Sequence, residues 1–357
     1  LTAISNGKKA KLLPHDQRWF STSVLPYDYD PAATCPVFKK FLGQILNADP
    51  TTLTPLTEGD NRVMVVQEIA GYLLLMDNCF QKFFVWVGEG RNGKGTLQKV
   101  FQNMLGVENC SSVTLEAMGQ RFGTWPLVGK LVNICGDMNN IDNAQEGTIK
   151  TWTGEDLVTV ERKHKPAIEI EPTVKFIYAT NTLPWFKDKT EGMWRRLIVV
   201  PFNFTPEGDQ PIDSKLRPKL LKELSGIFTW ALAGLKRLLK QDGFTDCDVC
   251  TAAAKEHRTE CSPADEFIDN HFSFAADHPQ PLGIDWKTCS TEIKKLVKEE
   301  AIKFGEKGIA ANIICRVLAK RPGVKKDRPS TVKERSEKGS TIYGGVCLGE
   351  PKVIPTR

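Results

Sequence analysis

The sequence of 357 residues lacks any apolar run long enough to span a membrane, and no secretory signal opens it. Its ten cysteines follow no regular spacing, so we expect reduced thiols in the cytoplasm and not a disulfide framework. An initiator Met is also missing, because the chain begins with Leu1. We therefore expect a processed product or an excised piece of a longer protein.

Net charge is small, at +5, and it is unevenly distributed. From Ser290 to Arg357 there are 16 Lys and Arg against 8 Asp and Glu, so this tail carries +8 and the rest of the chain −3. A basic module on a nearly neutral body is the distribution expected of a nucleic-acid contact surface. The alternative interpretation is a solvated charged face.

A glycine-rich stretch lies between a strand pattern and a helix pattern. The apolar run Phe83–Val87 predicts a buried strand, and TLQKVFQNML from Thr96 predicts a helix. Glycines between a strand and a helix let backbone N–H groups converge on an anion, and the helix N-terminus adds partial positive charge. We predict that this loop binds ATP through Gly88, Gly90, Asn92, Gly93, Lys94, Gly95 and Thr96.

The loop departs from the usual phosphate-binding pattern at one position. Gly95 occupies the Ser/Thr slot, and the hydroxyl arrives one residue later at Thr96. This shift resembles the GKGT loops of adenylate-kinase-like proteins, so a nucleotide kinase is one alternative function. An ordinary glycine-rich turn is the other interpretation of the loop.

Two later strand patterns each end in a polar residue. Leu127–Cys135 is followed by Asp137, which is where such ATPases place the carboxylate that holds Mg²⁺, although a turn or a helix cap is the alternative. Val174–Thr180 is followed by Asn181, whose amide can orient the attacking water or sense the γ-phosphate.

Two groups of basic residues accompany these strands. An alternating pattern on both sides of Arg162, Lys163 and Lys165 predicts a hairpin with a positive tip, suited to contact with a phosphate backbone. His164 in the tip has no Cys or His partners at ligand spacing, which argues against a metal. Arg195 and Arg196 enter a strand pattern at Ile198–Phe202 and either pair with local carboxylates or point at an anion.

These motifs together resemble superfamily 3 helicases, specifically the primase-helicase type of phages, plasmids and large DNA viruses. The resemblance covers roughly residues 12 to 240. It is carried by the motifs LLPHD (Leu12–Asp16), Gly88–Thr96, Asp137, TGED (Thr153–Asp156), RKHK (Arg162–Lys165), ATN (Ala179–Asn181) and MWRRLIVVPF (Met193–Phe202).

The resemblance implies an AAA+-like core that assembles into a ring, commonly a hexamer, hydrolyses ATP with Mg²⁺ and moves 3′ to 5′ along single-stranded and forked DNA. Lys94 and Thr96 would bind phosphate and Mg²⁺, Asp137 would be the Walker B acid and metal ligand, and Asn181 the sensor. Arg195 or Arg196 would act as an arginine finger on a neighbouring subunit. Family members usually carry a primase or polymerase domain upstream, and a viral member would act in the host cytoplasm. A replication initiator that assembles without unwinding is the second alternative function.

Two departures from the family pattern concern catalysis. Gly95 replaces the usual Ser/Thr, and Gly136 precedes Asp137 where many relatives have a second acid. The catalytic base is therefore open among Asp137, Asp142 and Glu155.

The expected fold class is α/β, in four regions. They are a helical N-terminal collar (1–78), the ATPase core (79–206), a helical extension (207–280) with a long helix predicted over Ile212–Lys240, and a basic winged-helix domain (281–357). In that last domain we expect a second helix over Ile309–Lys320 and a two-stranded wing around Lys338 and Gly339. Its expected DNA contacts are Arg316, Lys320, Arg321, Lys325 and Lys326.

Zinc at Cys247, Cys250, His257 and Cys261 is disfavoured, because the spacing is unfamiliar and the intervening residues are helical.

Overall fold

The computed structural model forms two compact units, Leu1–His257 and Arg258–Arg357. The residues that it describes are 16, 22–47, 56–136, 143–184, 186, 191–204, 215–260, 267–268, 271–274, 287–304, 314–315, 318, 325–327, 342–344 and 346–348.

Nine α-helices begin among the described residues of the first unit, and the last of them continues three residues past His257. They are α1 (Pro36–Leu46), α2 (Asn61–Tyr72), α3 (Lys94–Leu105), α4 (Leu115–Met118), α5 (Asn143–Trp152), α6 (Glu191–Trp194), α7 (Leu216–Leu221), α8 (Leu224–Gln241) and α9 (Asp248–Glu260). Its strands are β1 (Phe83–Val87), β2 (Cys110–Ser111), β3 (Val132–Gly136), β4 (Val158–Arg162), β5 (Lys165–Ile170), β6 (Lys175–Thr180) and β7 (Leu197–Pro201).

A five-stranded parallel sheet lies at the centre of this unit, in the order β2-β3-β6-β1-β7. Strand β1 is apolar throughout, and β1 and β6 are almost completely buried, as expected when helices cover both faces of a parallel sheet. Because all five strands run in the same direction, their carboxyl ends meet at one edge. Trp86, Ala179, Val200 and Gly136 lie at one level across the sheet.

The predicted strands at β1, β6 and β7 are confirmed to within one residue. The strand predicted to begin at Leu127 was placed too early. Trp125–Leu127 forms a 3₁₀ turn instead, Gly129 adopts a left-handed conformation at φ 71°, and the strand begins only at Val132. Pro126 favours that turn because its fixed φ is compatible with the first turn of a helix.

The long helix predicted over Ile212–Lys240 is interrupted at Lys222 and Glu223, between α7 and α8. Glu223, at this interruption, caps the N-terminus of α1. Its carboxylate accepts hydrogen bonds from the backbone N–H groups of Val37 and Phe38, at 3.1 and 2.9 Å. These are orphan donors in the first turn of α1, whose own N-cap residue makes no side-chain hydrogen bond.

The backbones of helices α2 and α8 lie in direct contact at two glycines. A Cβ atom on Gly71 would lie 2.5 Å from the Leu235 nitrogen, and one on Gly234 would lie 2.3 Å from the Gln67 oxygen. Across the same pair, the buried Glu68 carboxylate binds the Arg237 guanidinium at 2.6 Å. This layer joins the sheet in one hydrophobic core.

Strands β4 and β5 form the predicted antiparallel hairpin with Lys163 and His164 at its tip, and its outer strand β5 is exposed along almost its full length. His164 takes a left-handed φ of 60°, as tight turns require.

The second unit has one described long helix, α10 (Ser290–Phe304), and five short strands, β8 (Phe272–Phe274), β9 (Lys287–Cys289), β10 (Lys325–Asp327), β11 (Ile342–Gly344) and β12 (Val346–Leu348). Strand β11 pairs antiparallel with β10 and with β9. Both of these partner strands come earlier in the chain than the two-stranded wing predicted around Lys338 and Gly339. Most of the predicted helix Ile309–Lys320 lies outside the described residues. The winged helix remains a prediction.

Over the described ranges, no helix combines the length and the apolar character needed to cross a bilayer.

Candidate nucleotide-binding site

The glycine-rich loop lies at the carboxyl edge of the sheet, between β1 and α3. It is tied to both neighbours of β1. The Gly88 N–H donates to the Thr180 carbonyl at the end of β6, at 3.3 Å, and the buried Asn92 side chain donates to the Phe202 carbonyl after β7, at 2.9 Å. These bonds fix both ends of the loop relative to the sheet.

Two of the four loop glycines are required by the fold. Gly88 and Gly93 have φ values of 154° and 87°, which L residues rarely adopt. A Cβ on Gly88 would lie 2.2 Å from the Phe202 oxygen, and one on Gly93 would lie 2.5 Å from Cγ2 of Ile45. A Cβ on Gly90 or Gly95 would meet nothing within 4 Å. A Cβ atom at position 95, where the usual pattern has Ser or Thr, would therefore meet no steric clash.

Lys94 is the first residue of α3, and its side chain turns back into the loop. Its ammonium donates to the carbonyls of Gly88 and Glu89, the latter at 3.1 Å, and the residue is only 7% exposed. The first-turn N–H groups of α3, including those of Gly95 and Thr96, point along the helix axis where no helical carbonyl can reach them. A cation and helix N–H groups thus meet at the loop, and this donor set fits a polyphosphate.

Asn181 is exposed and immediately follows β6, so it lies beside the base of the loop. Strand β3 reaches the same edge at Gly136, and Gln98 of α3 donates to the Cys135 carbonyl at 3.5 Å, which brings α3 over the end of β3. Asp137 and Asp142 lie outside the described residues. Lys94 and Thr96, in the first turn of α3, and Asn181, after β6, therefore lie at the same edge of the sheet, and Asp137 follows the described end of β3 in sequence.

Arg195 and Arg196 lie at the opposite edge of the sheet, because they precede β7, which runs parallel to β1. Their Nη2 atoms donate to Oε1 of Gln81, just before β1, at 2.9 and 3.3 Å. Strand β1 has five residues, so it alone separates Gln81 from the loop by about 16 Å. The arginines do not reach the glycine loop of their own chain.

Glu155 also lies at this opposite edge. Its Oε2 accepts a hydrogen bond from Nε2 of Gln81 at 3.2 Å. The Glu155 carboxylate therefore lies at the opposite end of β1 from the glycine loop of its own chain.

The two arginines differ in exposure. Arg195 is exposed, whereas Arg196 is half-buried and also donates from Nη1 to the Gly192 carbonyl at 2.6 Å. Burial and the neighbouring Arg195 charge lower the pKa of Arg196. Burial, Arg195 and Arg196 likewise lower the pKa of Lys82, whose ammonium donates to the Arg195 carbonyl at 2.5 Å. Three cations therefore gather around Gln81.

The basic residues of the hairpin tip differ in their contacts. Arg162, Lys163 and Lys165 are all exposed, but the Arg162 guanidinium lies over the Trp125 ring, 4.7 Å from its centroid. Arg121 pairs with Glu161 at 2.8 Å beside it. Arg162 thus makes a contact within its own chain, and Lys163 and Lys165 are exposed to solvent.

The C-terminal basic residues are only partly placed. Lys325 and Lys326 lie in β10, and Arg316, Lys320 and Arg321 lie outside the described residues.

The suggested zinc ligands are not assembled within the described part of the chain, where no three His, Cys, Asp or Glu side chains cluster at metal distance. Cys247 and Cys250 are buried at the start of α9. His257 lies seven residues further along the helix, about 10 Å away, with Nε2 2.9 Å from the Pro184 carbonyl oxygen. Cys261 lies outside the described residues.

Gln81, Lys82 and Trp125 carry contacts that the sequence gave no reason to single out. Gln81 has a left-handed φ of 51°, which is unusual for a residue other than glycine. No sequence pattern marks it, because Gln is not a residue typical of that conformation.

Comparison with known protein families gives two matches. A family model described as D5 N terminal like matches residues 4–47, and a model described as a family of unknown function (DUF5906) matches residues 86–196. The second match spans the end of β1, the glycine loop, the hairpin and both arginines.

Curated relatives come from large DNA viruses. A Frog virus 3 (isolate Goorha) protein named as a candidate helicase, 022R, is 29% identical over 144 residues, covering 36% of this chain and 15% of that protein. An Acanthamoeba polyphaga mimivirus protein named as a candidate helicase, L207/L206, is 25% identical over 217 residues, covering 54% of this chain and 22% of that protein. The chain thus spans less than a quarter of the length of either relative.

Among solved structures, the apo A form of the NrS-1 C-terminal region shares the fold. Its TM-score is 0.53 at 15% identity, and the match covers 90% of this chain and 78% of that one. The mixed α/β fold with a mainly parallel sheet is therefore confirmed. Together with the D5 match and the viral relatives, this confirms the resemblance to the phage and viral primase-helicase type that the motifs carry.

Proposed function

We propose that this chain is the ATP-driven DNA helicase part of a replication protein. Lys94 and the first turn of α3 bind the phosphates of ATP, Thr96 and Asp137 hold Mg²⁺, and Asn181 orients the attacking water or senses the γ-phosphate. The catalytic base is Asp137 or Asp142.

The observation that carries this proposal is the separation of the glycine loop from the arginine pair. Transferring a phosphoryl group demands positive charge around the developing negative charge, and an arginine finger is a common source of it. Arg195 is exposed at the far edge of the sheet and does not reach its own loop. A head-to-tail neighbour would bring that edge to the loop, and repeating such a contact with closure gives a ring.

The resemblance to superfamily 3 helicases supplies the finer parts of this proposal. The ring is a hexamer that moves 3′ to 5′, with Lys163 and Lys165 contacting the phosphate backbone of one strand in the central channel. Arg195 is the finger, because it is exposed, whereas Arg196 is half-buried and also donates to the Gly192 carbonyl. The domain arrangement stays as expected from the sequence, with the C-terminal basic residues as further DNA contacts.

Mixing two inactive variants tests this proposal. Lys94→Ala lacks a working loop and Arg195→Ala lacks a working finger, so each alone should hydrolyse little ATP. In random mixed rings, roughly a quarter of the interfaces pair an intact loop with an intact Arg195, and turnover should partly recover. The matched control mixes Arg195→Ala with the Lys94→Ala/Arg195→Ala double variant, in which no interface has a finger.

Three results would contradict the proposal. They are no recovery at any mixing ratio, a lone monomer that hydrolyses ATP at full speed with DNA present, and a failure to unwind a 3′-tailed duplex. ATP-dependent assembly without unwinding would instead favour an initiator. A nucleotide kinase would be indifferent to single-stranded DNA.

A further inference from the structure

The Gln81 side chain joins the hairpin root to the arginine pair. Its Oε1 accepts from Nη2 of Arg195 at 2.9 Å and from Nη2 of Arg196 at 3.3 Å. Its Nε2 donates to Oε2 of Glu155 at 3.2 Å. Glu155 lies between α5 and β4, three residues before the hairpin begins at Val158. The Gln81 amide oxygen thus accepts from the arginine pair, and the amide N–H donates to Glu155 at the hairpin root.

The segment that carries Gln81 is itself fastened to both roots of the hairpin. The buried Asn78 amide donates to the carbonyl of Trp152, before β4, at 3.2 Å and to that of Pro172, after β5, at 2.9 Å. The Gln81 N–H donates to the Asn78 carbonyl at 2.7 Å, which closes a tight turn. A shift of the hairpin roots would therefore move this turn as well.

The Gln81 backbone shows that its orientation is imposed by the turn. Its φ of 51° lies in the left-handed region, which an L residue adopts when the surrounding contacts hold it there. The side chain has to leave the turn towards Glu155 and the arginines from this fixed starting point.

We propose that Gln81 is a positioning residue that couples the DNA-contacting hairpin to the arginine finger. A hairpin displaced by DNA moves Glu155, and Gln81 passes that displacement to Arg195, which acts on the neighbour's nucleotide. This inference rests on the proposed function, and it adds the route by which DNA binding on one subunit changes ATP turnover at the next interface.

An exchange of amide and carboxylate between positions 81 and 155 tests this coupling. Gln81→Glu keeps an acceptor for both arginines but sets a carboxylate against Glu155, so the link to the hairpin is lost. Glu155→Gln alone leaves a neutral amide pair and should have a small effect. In the Gln81→Glu/Glu155→Gln double variant, the amide at 155 can donate to the carboxylate at 81, and the link is restored with reversed polarity.

The quantity to measure is the ratio of ATP turnover with single-stranded DNA to turnover without it. We expect Gln81→Glu to reduce this ratio roughly tenfold, within the usual range of coupling between two sites, and the double variant to recover most of it. Gln120→Glu, an exposed amide on another segment, is the matched charge control. A thermal melt and the turnover without DNA show whether each variant is folded and assembled.

The failures of the two proposals are distinguishable. If the unmodified protein shows no stimulation by DNA, the proposed function is contradicted. If it is stimulated normally and Gln81→Glu is stimulated to the same extent, or the double variant is as poor as Gln81→Glu, the coupling through Gln81 is overturned.

Discussion

Gly93 of the glycine loop lies directly against Ile45 of α1, so closely that a Cβ on the glycine would be 2.5 Å from the isoleucine Cγ2. The ring of Phe41, one turn earlier in α1, is 3.4 Å from the same position. The N-terminal helix thus supports the loop from one side, while Asn92 and Phe202 hold it from the other.

Gly93→Ala should therefore destabilise the protein, whereas Gly95→Ala should not. Alanine at Gly93 meets a left-handed φ and a filled space, at a combined cost of about 2 kcal/mol or more. At Gly95 it enters open space in the first turn of a helix, so the free energy of unfolding should change by less than about 1 kcal/mol. Denaturant melts measure both effects. Equal melts would show that the contact with Ile45 does not constrain the loop.

Lys94→Ala should lower ATP turnover at least about a hundredfold, because its ammonium is the cation placed inside the loop. Lys99→Ala is the matched control. It lies on the exposed side of the same helix, where its ammonium donates to Gln102 at 3.0 Å. Steady-state hydrolysis assays compare the two. Normal turnover in Lys94→Ala would refute the site.

Arg195→Ala and Arg196→Ala should fail in different ways. Arg195 is exposed, so its loss should lower turnover with little change in melting temperature. Arg196 is half-buried and bonded to Gly192 and Gln81, so its loss should also destabilise the fold by about 1 to 3 kcal/mol. Paired turnover and melting measurements separate them. If Arg196→Ala lowered turnover alone, the finger would be reassigned to it.

Lys163→Ala should weaken single-stranded DNA binding and reduce the salt dependence of the affinity by about 0.7 in slope, because one phosphate contact is lost. Arg162→Ala should leave that slope nearly unchanged, since its guanidinium stacks on Trp125. Fluorescence anisotropy over a range of salt concentrations gives both slopes. A larger loss of slope for Arg162→Ala would place the DNA contact there.

Lys175 predicts a pH dependence of stability. It is fully buried, with its ammonium donating to the carbonyls of Leu75 and Thr173, and burial lowers its pKa to about 7. Between pH 7 and about 10 the unfolded chain holds a proton that the folded chain has lost, so the free energy of unfolding rises with pH.

The contribution of Lys175 has a maximum slope of about 1.4 kcal/mol per pH unit. Lys175→Met should remove it, whatever the variant does to absolute stability. Denaturant melts of both proteins at several pH values between 7.5 and 9.5 give the difference. Parallel pH profiles would mean that the folded protein keeps Lys175 protonated.

Local patterns in the sequence were enough to place β1, the glycine loop, α3, the hairpin and β6. Each depends on the period of its apolar residues and on glycine or polar residues at its ends, which are properties of neighbours in the chain. The short edge strand β2 was not predicted, because Cys110 and Ser111 carry no such pattern. The break between α7 and α8 was missed for a related reason, since Glu223 caps a helix that lies far away in sequence.

The sequence by itself determined which residues have the chemistry to bind a phosphate. It also determined the order along the chain of the strands and of the polar residues that follow them. Only the tertiary structure decided which of them share an edge of the sheet. Parallel pairing of β7 with β1 places Arg195 and Glu155 far from Lys94 and beside Gln81. That outcome depends on strand order and direction, which are set by packing between distant segments, and no local pattern encodes them.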